Sequence, residues 1–298
     1  MRVLVTGSKG FVGHWLIAHL EEQGDEVIGL DAEVDITEPE TLKEVVVTAA
    51  PEAICHLAAL ASVGASWGAS EATYRVNTVG TANVLDAALA CRDRPRVLLI
   101  SSSEVYGRVS PSDLPLTEDH PFAPVSPYAA SKAAAEMIGL QAWLGAGLEV
   151  VRARPFNHTG AGQRHDFVVP ALAEQIATAI ASGADRLSTG NLDARRDISD
   201  VRDVVRAYRM LLVAGEPGSV YNVCRGEAVS IREVAERLLA IAGVDLPIVV
   251  DPARVRPVEI PELRGDRSRI QAAVGWSPVF ELDRTLSDVL AYWRRSEG

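Results

Sequence analysis

The start of the chain constrains it most. Arg2-Val3-Leu4-Val5-Thr6 is a short apolar run that leads directly into Thr6-Gly7-Ser8-Lys9-Gly10-Phe11-Val12-Gly13. The run reads as a β-strand, and residues 11–23 read as a helix. Gly7 permits the tight turn between them, Gly10 lets the backbone approach a pyrophosphate, and Gly13 lets helix and strand pack closely. Phe11 and Val12 fall in the first helical turn, where free N–H groups and the positive dipole end favour phosphates. A strand, a glycine turn and a helix in this order point to a parallel α/β sheet that binds a dinucleotide at its first turn.

The rest of the first half repeats the pattern. Strands are expected at 26–31, 53–57, 96–101 and 148–154, with helices at 38–49, 70–91 and 127–145 between them. Short β-branched strands alternating with helices predict an α/β fold, a doubly wound parallel (Rossmann) sheet with helices on both faces. Beyond residue 154 proline, glycine and arginine become more frequent. Helices are expected near 168–182, 201–214, 230–242 and 283–295, and short strands near 187–189, 219–223 and 247–250. This predicts a dinucleotide-binding domain over 1–165 and a smaller α/β substrate domain over 166–298, with a segment near 195–225 returning to the main sheet.

Composition excludes several classes. A net charge of −11 argues against nucleic acid or an acidic membrane as a partner. Cys55, Cys91 and Cys224 are odd in number and far apart, as expected for reduced thiols. The N-terminus enters a strand at once, leaving no room for a signal peptide, and no apolar stretch is long enough to span a membrane. A soluble cytoplasmic protein is expected. His56, His158 and His165 lack metal-ligand spacing, and no metal is predicted.

Asp31 ends the second strand, where a carboxylate binds the adenosine ribose hydroxyls and repels a 2′-phosphate. This favours NAD(H), with NADP(H) the alternative. Asp35 and Ile36 are placed to contact adenine, and Leu57, Ala58 and Ala59 bring small residues to a strand end beside the dinucleotide. The chain has three lysines against 26 arginines, and one lysine falls in Tyr128-Ala-Ala-Ser-Lys132. On a helix that spacing puts phenol and ammonium on one face, where the cation is expected to lower the phenol's pKa. Ser101-Ser102-Ser103-Glu104 follows the fourth strand, so its hydroxyls enter the crevice at the sheet's C-terminal edge.

Together with the glycine turn, these residues resemble the extended short-chain dehydrogenase/reductase family that acts on nucleotide sugars. The resemblance carries the family's catalytic serine, tyrosine and lysine to Ser102, Tyr128 and Lys132, and its helix asparagine to Asn77. Downstream, Arg154-Pro155-Phe156-Asn157-His158-Thr159-Gly160-Ala161-Gly162-Gln163 is similar to a signature shared by GDP-mannose 4,6-dehydratases and GDP-6-deoxy-D-mannose reductases. Arg196-Asp197-Ile198-Ser199-Asp200 and Arg256-Pro257-Val258-Glu259 match the same group. The resemblance implies that Asn157 and Arg196 contact the diphosphate, and that Arg256 and Glu259 hold phosphate and ribose. It also places Pro155 at the cofactor and Ser103 and Val169 at the substrate. Bidentate phosphate contacts need guanidiniums, for which Arg154, Arg195, Arg196, Arg254 and Arg256 are candidates.

Within that group a reductase acts on the C4 carbonyl of a 4-keto-6-deoxy sugar, whereas a dehydratase needs a carboxylate where Glu104 stands. Chain length and the segments Phe167-Val168-Val169-Pro170 and Tyr221-Asn222-Val223-Cys224 look more like the reductases. The expected activity is therefore NAD(P)H-dependent reduction of a GDP-4-keto-6-deoxy-hexose, giving GDP-6-deoxy-D-mannose (GDP-D-rhamnose). The alternatives are a GDP-mannose 4,6-dehydratase, an NDP-sugar 4-epimerase and a non-catalytic nucleotide-binding module. Alanine-rich stretches in 70–91 and 127–145 resemble the family's dimer helices and predict a homodimer.

Overall fold

The computed structural model describes residues 1–254 and 260–296. The first half runs β1 (Arg2–Thr6), α1 (Phe11–Glu22), β2 (Glu26–Leu30), α2 (Pro39–Ala49), β3 (Ala53–His56), α3 (Val63–Ser66), α4 (Ser70–Tyr74), α5 (Gly80–Ala90), β4 (Arg96–Ile100), α6 (Pro127–Ala146) and β5 (Val150–Pro155). The second half runs β6 (Asn157–Thr159), α7 (Val168–Ser182), β7 (Leu187–Thr189), β8 (Arg195–Asp200), α8 (Val201–Ala214), β9 (Val220–Val223), β10 (Ala228–Ser230), α9 (Ile231–Ala242), β11 (Ile248–Val250), β12 (Glu262–Leu263), α10 (Ser268–Val274) and α11 (Leu282–Ser296).

Six parallel strands form the main sheet in the order β2-β1-β3-β4-β5-β9. The chain leaves β1 toward β2 and then crosses to β3 on the other side, so a crevice opens between β1 and β3 at their C-terminal ends. Strand alternation feeds two cores. Val3 and Val5 pack with Leu16, Leu20, Tyr208 and Trp276, whereas Leu4 packs with Ile54, Val84 and Leu99 on the opposite face. Each such large side chain, fully buried, contributes about 1.5–3 kcal/mol relative to exposure.

β9 joins the main sheet beside β5, and α8 packs against α1. β8 instead belongs to a second sheet, flanked by β10 and β12 and paired with β6. A separate core of Leu172, Ile176, Ile198, Val234, Leu238, Leu286 and Val289 lies beneath α7, α9 and α11.

The single helix expected over 70–91 is broken. A π-turn at Arg75–Val79 joins α4 to α5. The turn keeps the backbone helical while shifting its register, so a sequence reading of helix across 70–91 does not show it. π-turns often mark functional positions, and this one carries Asn77. Among the described residues no helix is long and apolar enough to cross a membrane.

Candidate active site at the C-terminal edge of the sheet

The first turn is built for close approach. Gly7 has φ +72°, and a Cβ there would lie 2.9 Å from the Ala58 amide nitrogen. A Cβ on Gly13 would lie 2.2 Å from the Gly7 carbonyl oxygen, so α1 rests directly on the turn. The N-terminus of α1 has no side-chain cap and no acidic residue in its first turn. Its free N–H groups at Phe11, Val12 and Gly13 therefore suit a pyrophosphate, and the chain fits a dinucleotide here.

Asp31 braces that turn. One carboxylate oxygen accepts the Lys9 amide at 2.7 Å and the other accepts its neighbour Ala32 at 2.9 Å. Asp35 is exposed and accepts the Thr37 amide at 2.8 Å. The Ile36 side chain is buried against Gly80, where a Cβ would meet its Cδ1 at 2.5 Å. Ile36 thus offers a ligand only its backbone, and its carbonyl already accepts the Asn83 side-chain Nδ2 at 2.9 Å.

Leu57, Ala58 and Ala59 are half-buried at the end of β3. Asn77 holds the loop that follows them. Its side-chain oxygen accepts the Leu60 amide at 2.8 Å, while its nitrogen donates to the Leu60 carbonyl at 3.2 Å and to the Ser131 hydroxyl at 2.9 Å. Asn77 is 1% exposed, so it positions the loop against α6 from within.

Beyond β4, Ser102 caps a short 3-10 helix at Ser103–Tyr106, its hydroxyl accepting the Glu104 amide at 3.2 Å. Its side chain also faces the Tyr128 phenol, closely enough to act on its ionisation. One turn along α6, the Lys132 ammonium donates to the Ile100 carbonyl at the end of β4, at 2.8 Å. Ser102, Tyr128 and Lys132 are thus brought together at the sheet edge that carries the glycine turn. Ser103 is buried beside them, and Glu104 is half-buried.

The expected lowering of the phenol's pKa is not what this site produces. Burial pushes Tyr128 up to about 12, the Ser102 hydroxyl draws it back, and the Glu104 carboxylate adds to the rise. Burial also brings Lys132 down to about 8. Both groups respond to desolvation of their charged forms. The phenol consequently keeps its proton at neutral pH, which suits a proton donor.

On the opposite side, Asn157 is exposed on β6, beside the buried Pro155 that ends β5. Arg196 is 9% exposed and donates to the carbonyls of Arg195 (2.9 Å) and Ile260 (2.8 Å). Its guanidinium therefore lies at Ile260; two further residues expected at the nucleoside diphosphate are Arg256 and Glu259. Those two residues lie outside the described residues, as does the Arg254 side chain. Val169 is 3% exposed within the second core, with Leu172 and Ile198, so packing occupies its side chain. Arg195 pairs with Glu233 and Glu262.

Arg154 is removed from the phosphate candidates. Its guanidinium is buried and forks onto Glu136 of α6, with Nη2 at 2.7 Å and Nε at 3.0 Å, so its charge is already matched. Glu136 is a site residue that the sequence signals only through the spacing Tyr128, Lys132, Glu136, which places all three on one helical face.

A model of the GDP-mannose 4,6 dehydratase family matches residues 32–289. The chain is 40% identical to the GDP-6-deoxy-D-mannose reductase of Pseudomonas aeruginosa, over 98% of this chain and 97% of that protein. Among solved structures it is similar to RMD from Pseudomonas aeruginosa complexed with NADPH, with TM-score 0.92 and 38% identity, covering 99% of this chain and 100% of that one. It is also similar to the Thermus thermophilus UDP-glucose 4-epimerase complex with NAD, with TM-score 0.89 and 29% identity, covering 99% of each chain.

Proposed function

Because the chain belongs to the GDP-mannose 4,6 dehydratase family of extended short-chain dehydrogenases/reductases, we propose that it reduces the C4 carbonyl of a GDP-linked 4-keto-6-deoxy-hexose to give GDP-6-deoxy-D-mannose. The observation that carries this reading is the meeting of Ser102, Tyr128 and Lys132 at the sheet edge that also holds the uncapped helix N-terminus. Likeness to the Pseudomonas aeruginosa reductase along nearly its whole length supports the choice of reaction.

A bound nicotinamide cofactor supplies the hydride for C4. Gly7, Gly10, Phe11, Val12 and Gly13 hold its pyrophosphate, and Asp31 faces the adenosine ribose. NAD(H) is favoured because a carboxylate there repels a 2′-phosphate. NADP(H) remains the alternative, and RMD was solved with NADPH. Tyr128 donates its proton to O4 as negative charge develops there, and Ser102 hydrogen-bonds the same oxygen. Lys132 orients the nicotinamide ribose and offsets the tyrosinate left after proton transfer. Asn157, Arg196, Arg256 and Glu259 are assigned to the nucleoside diphosphate. In this assignment residues 1–165 and the stretch that adds β9 to the main sheet carry the cofactor, and the remainder carries the sugar nucleotide.

Two copies are proposed to meet through α4–α5 and α6, whose outer faces expose Val79 (49%), Met137 (44%) and Leu144 (72%). The three buried free cysteines suit a reducing cytoplasm. Glu104 supports the dehydratase as the second reading, because its carboxylate acts on Tyr128 across the site. The deciding experiment follows NADH absorbance. With a GDP-4-keto-6-deoxy sugar, one NADH is consumed per sugar reduced, and GDP-mannose is left unchanged. Formation of a keto sugar from GDP-mannose without net NADH consumption would overturn the reductase in favour of the dehydratase.

A further inference from the structure

The segment bearing Ser102 and Glu104 is tied to α6 at both ends. At its start, Ser102 faces Tyr128, and the segment packs against α6. At its end, four residues later, the Tyr106 hydroxyl accepts Arg154 Nη1 at 2.9 Å. Arg154 forks onto Glu136, which lies two helical turns after Tyr128 on the same buried face. The result is a closed frame. The 3-10 helix forms one side and the Tyr128–Glu136 face of α6 the other; Ser102 meets Tyr128 at one end, and the hydrogen-bonded link joins them at the other.

Nothing in the far cross-link is loose. Glu136 and Tyr106 are fully buried and Arg154 is 4% exposed. The guanidinium also donates to the Glu118 carbonyl at 2.9 Å and lies over the rings of Tyr106 (5.0 Å) and Phe122 (4.7 Å). Tyr106 passes the link onward, donating to Asn222 Oδ1 at 2.7 Å; Asn222 stands on β9, opposite Arg154 in the strand register. A planar guanidinium with a bidentate carboxylate has one geometry, so the link fixes orientation as well as distance.

We propose that Tyr106, Arg154 and Glu136 form a positioning unit that sets the Ser102 hydroxyl and the Glu104 carboxylate against Tyr128. The Ala123 amide already donates to the Val105 carbonyl at 3.0 Å, and the Tyr106 link adds a second fixed point at the far end of the 3-10 helix, which limits its tilt and so where the Ser102 hydroxyl meets the reacting oxygen. The unit is buried behind the 3-10 helix, so it is expected to act on turnover and not on substrate affinity. The proposal rests on the reductase reading for its kinetic arm alone.

Tyr106→Phe tests it, because the ring stays under Arg154 while the hydroxyl link is lost. The expected result is a kcat lowered roughly 10- to 100-fold, the scale set by a small misplacement of catalytic groups, with KM for the keto sugar within about twofold. Ser102→Ala and the double variant complete a cycle. If Tyr106 acts through Ser102, the double variant is no slower than Ser102→Ala, whereas independent effects multiply and overturn the proposal. Amide hydrogen exchange of residues 103–107 gives a readout that needs no substrate. Faster exchange confined to that segment in Tyr106→Phe is expected, and unchanged exchange would overturn the proposal. A parent protein inert toward the keto sugar would defeat the functional reading while leaving the exchange result to decide this one.

Discussion

Two buried cations sit behind the same crevice and are treated in opposite ways. Arg154 has a forked carboxylate, a phenol oxygen, a backbone carbonyl and two aromatic faces around it. Burial works against its charge, but Glu136 outweighs burial and its pKa is raised. Lys132 donates to one backbone carbonyl and, among the described residues, has no carboxylate within ion-pair distance. Burial alone decides its pKa, which falls to about 8. A buried charge with a full set of partners holds a fold together. One without a counter-charge burdens the fold, and such residues cluster where chemistry is done.

Substitutions along α6 sharpen that contrast. The largest expected effect is on Tyr128→Phe, which removes the proton donor beside Lys132. Turnover should fall by about 10²–10⁴-fold while the thermal unfolding midpoint stays close to that of the parent. Near-normal steady-state rates in this variant would break the assignment. Glu136→Gln strands the Arg154 charge, and urea unfolding should show a loss of about 3–5 kcal/mol. Lys132→Met is the counterpart: its turnover should collapse, yet its urea midpoint at neutral pH should hold or rise.

A pH series separates the two cations further. Lys132 titrates near 8 in the folded protein, against the ordinary lysine value of 10.5 in the unfolded chain. Between those values the unfolded chain binds more protons, so the Lys132 contribution to stability rises with pH across that window. The rise is roughly 3 kcal/mol at most, and it should vanish in Lys132→Met. Equal pH slopes for the two proteins would show that the amine is not desolvated. The smallest effect is expected of Glu104→Gln, which should change turnover in the reductive direction by less than about tenfold, as measured by NADH oxidation.

The contrast also explains which parts of the molecule the sequence could disclose. The glycine turn was legible because its constraints are local. A positive φ at Gly7 and a helix resting on the turn at Gly13 leave a fixed spacing behind them. Tyr128 and Lys132 were legible for the same reason, being one helical turn apart. The main-sheet strands fall within a residue or two of their expected bounds, since continuous apolar runs need little context. β8 was missed because Arg195, Arg196 and Asp197 interrupt any apolar pattern. They are accommodated by Glu233 and Glu262, by the Ile260 carbonyl, and by the amides of Arg225 and Gly226, all distant in sequence. Arg154 was misassigned on the same grounds. A strand arginine beside a nucleotide-sugar signature reads as a phosphate ligand until its partner on another helix is known.

The central claim is that this site reduces a carbonyl at C4 with net transfer from the nicotinamide. It is tested most directly with NADH deuterated at the transferable C4 position, followed by magnetic resonance of the sugar product. The account predicts deuterium at C4 of a GDP-6-deoxy sugar, one label per NADH consumed. Label at C6, or none in the sugar, would contradict it.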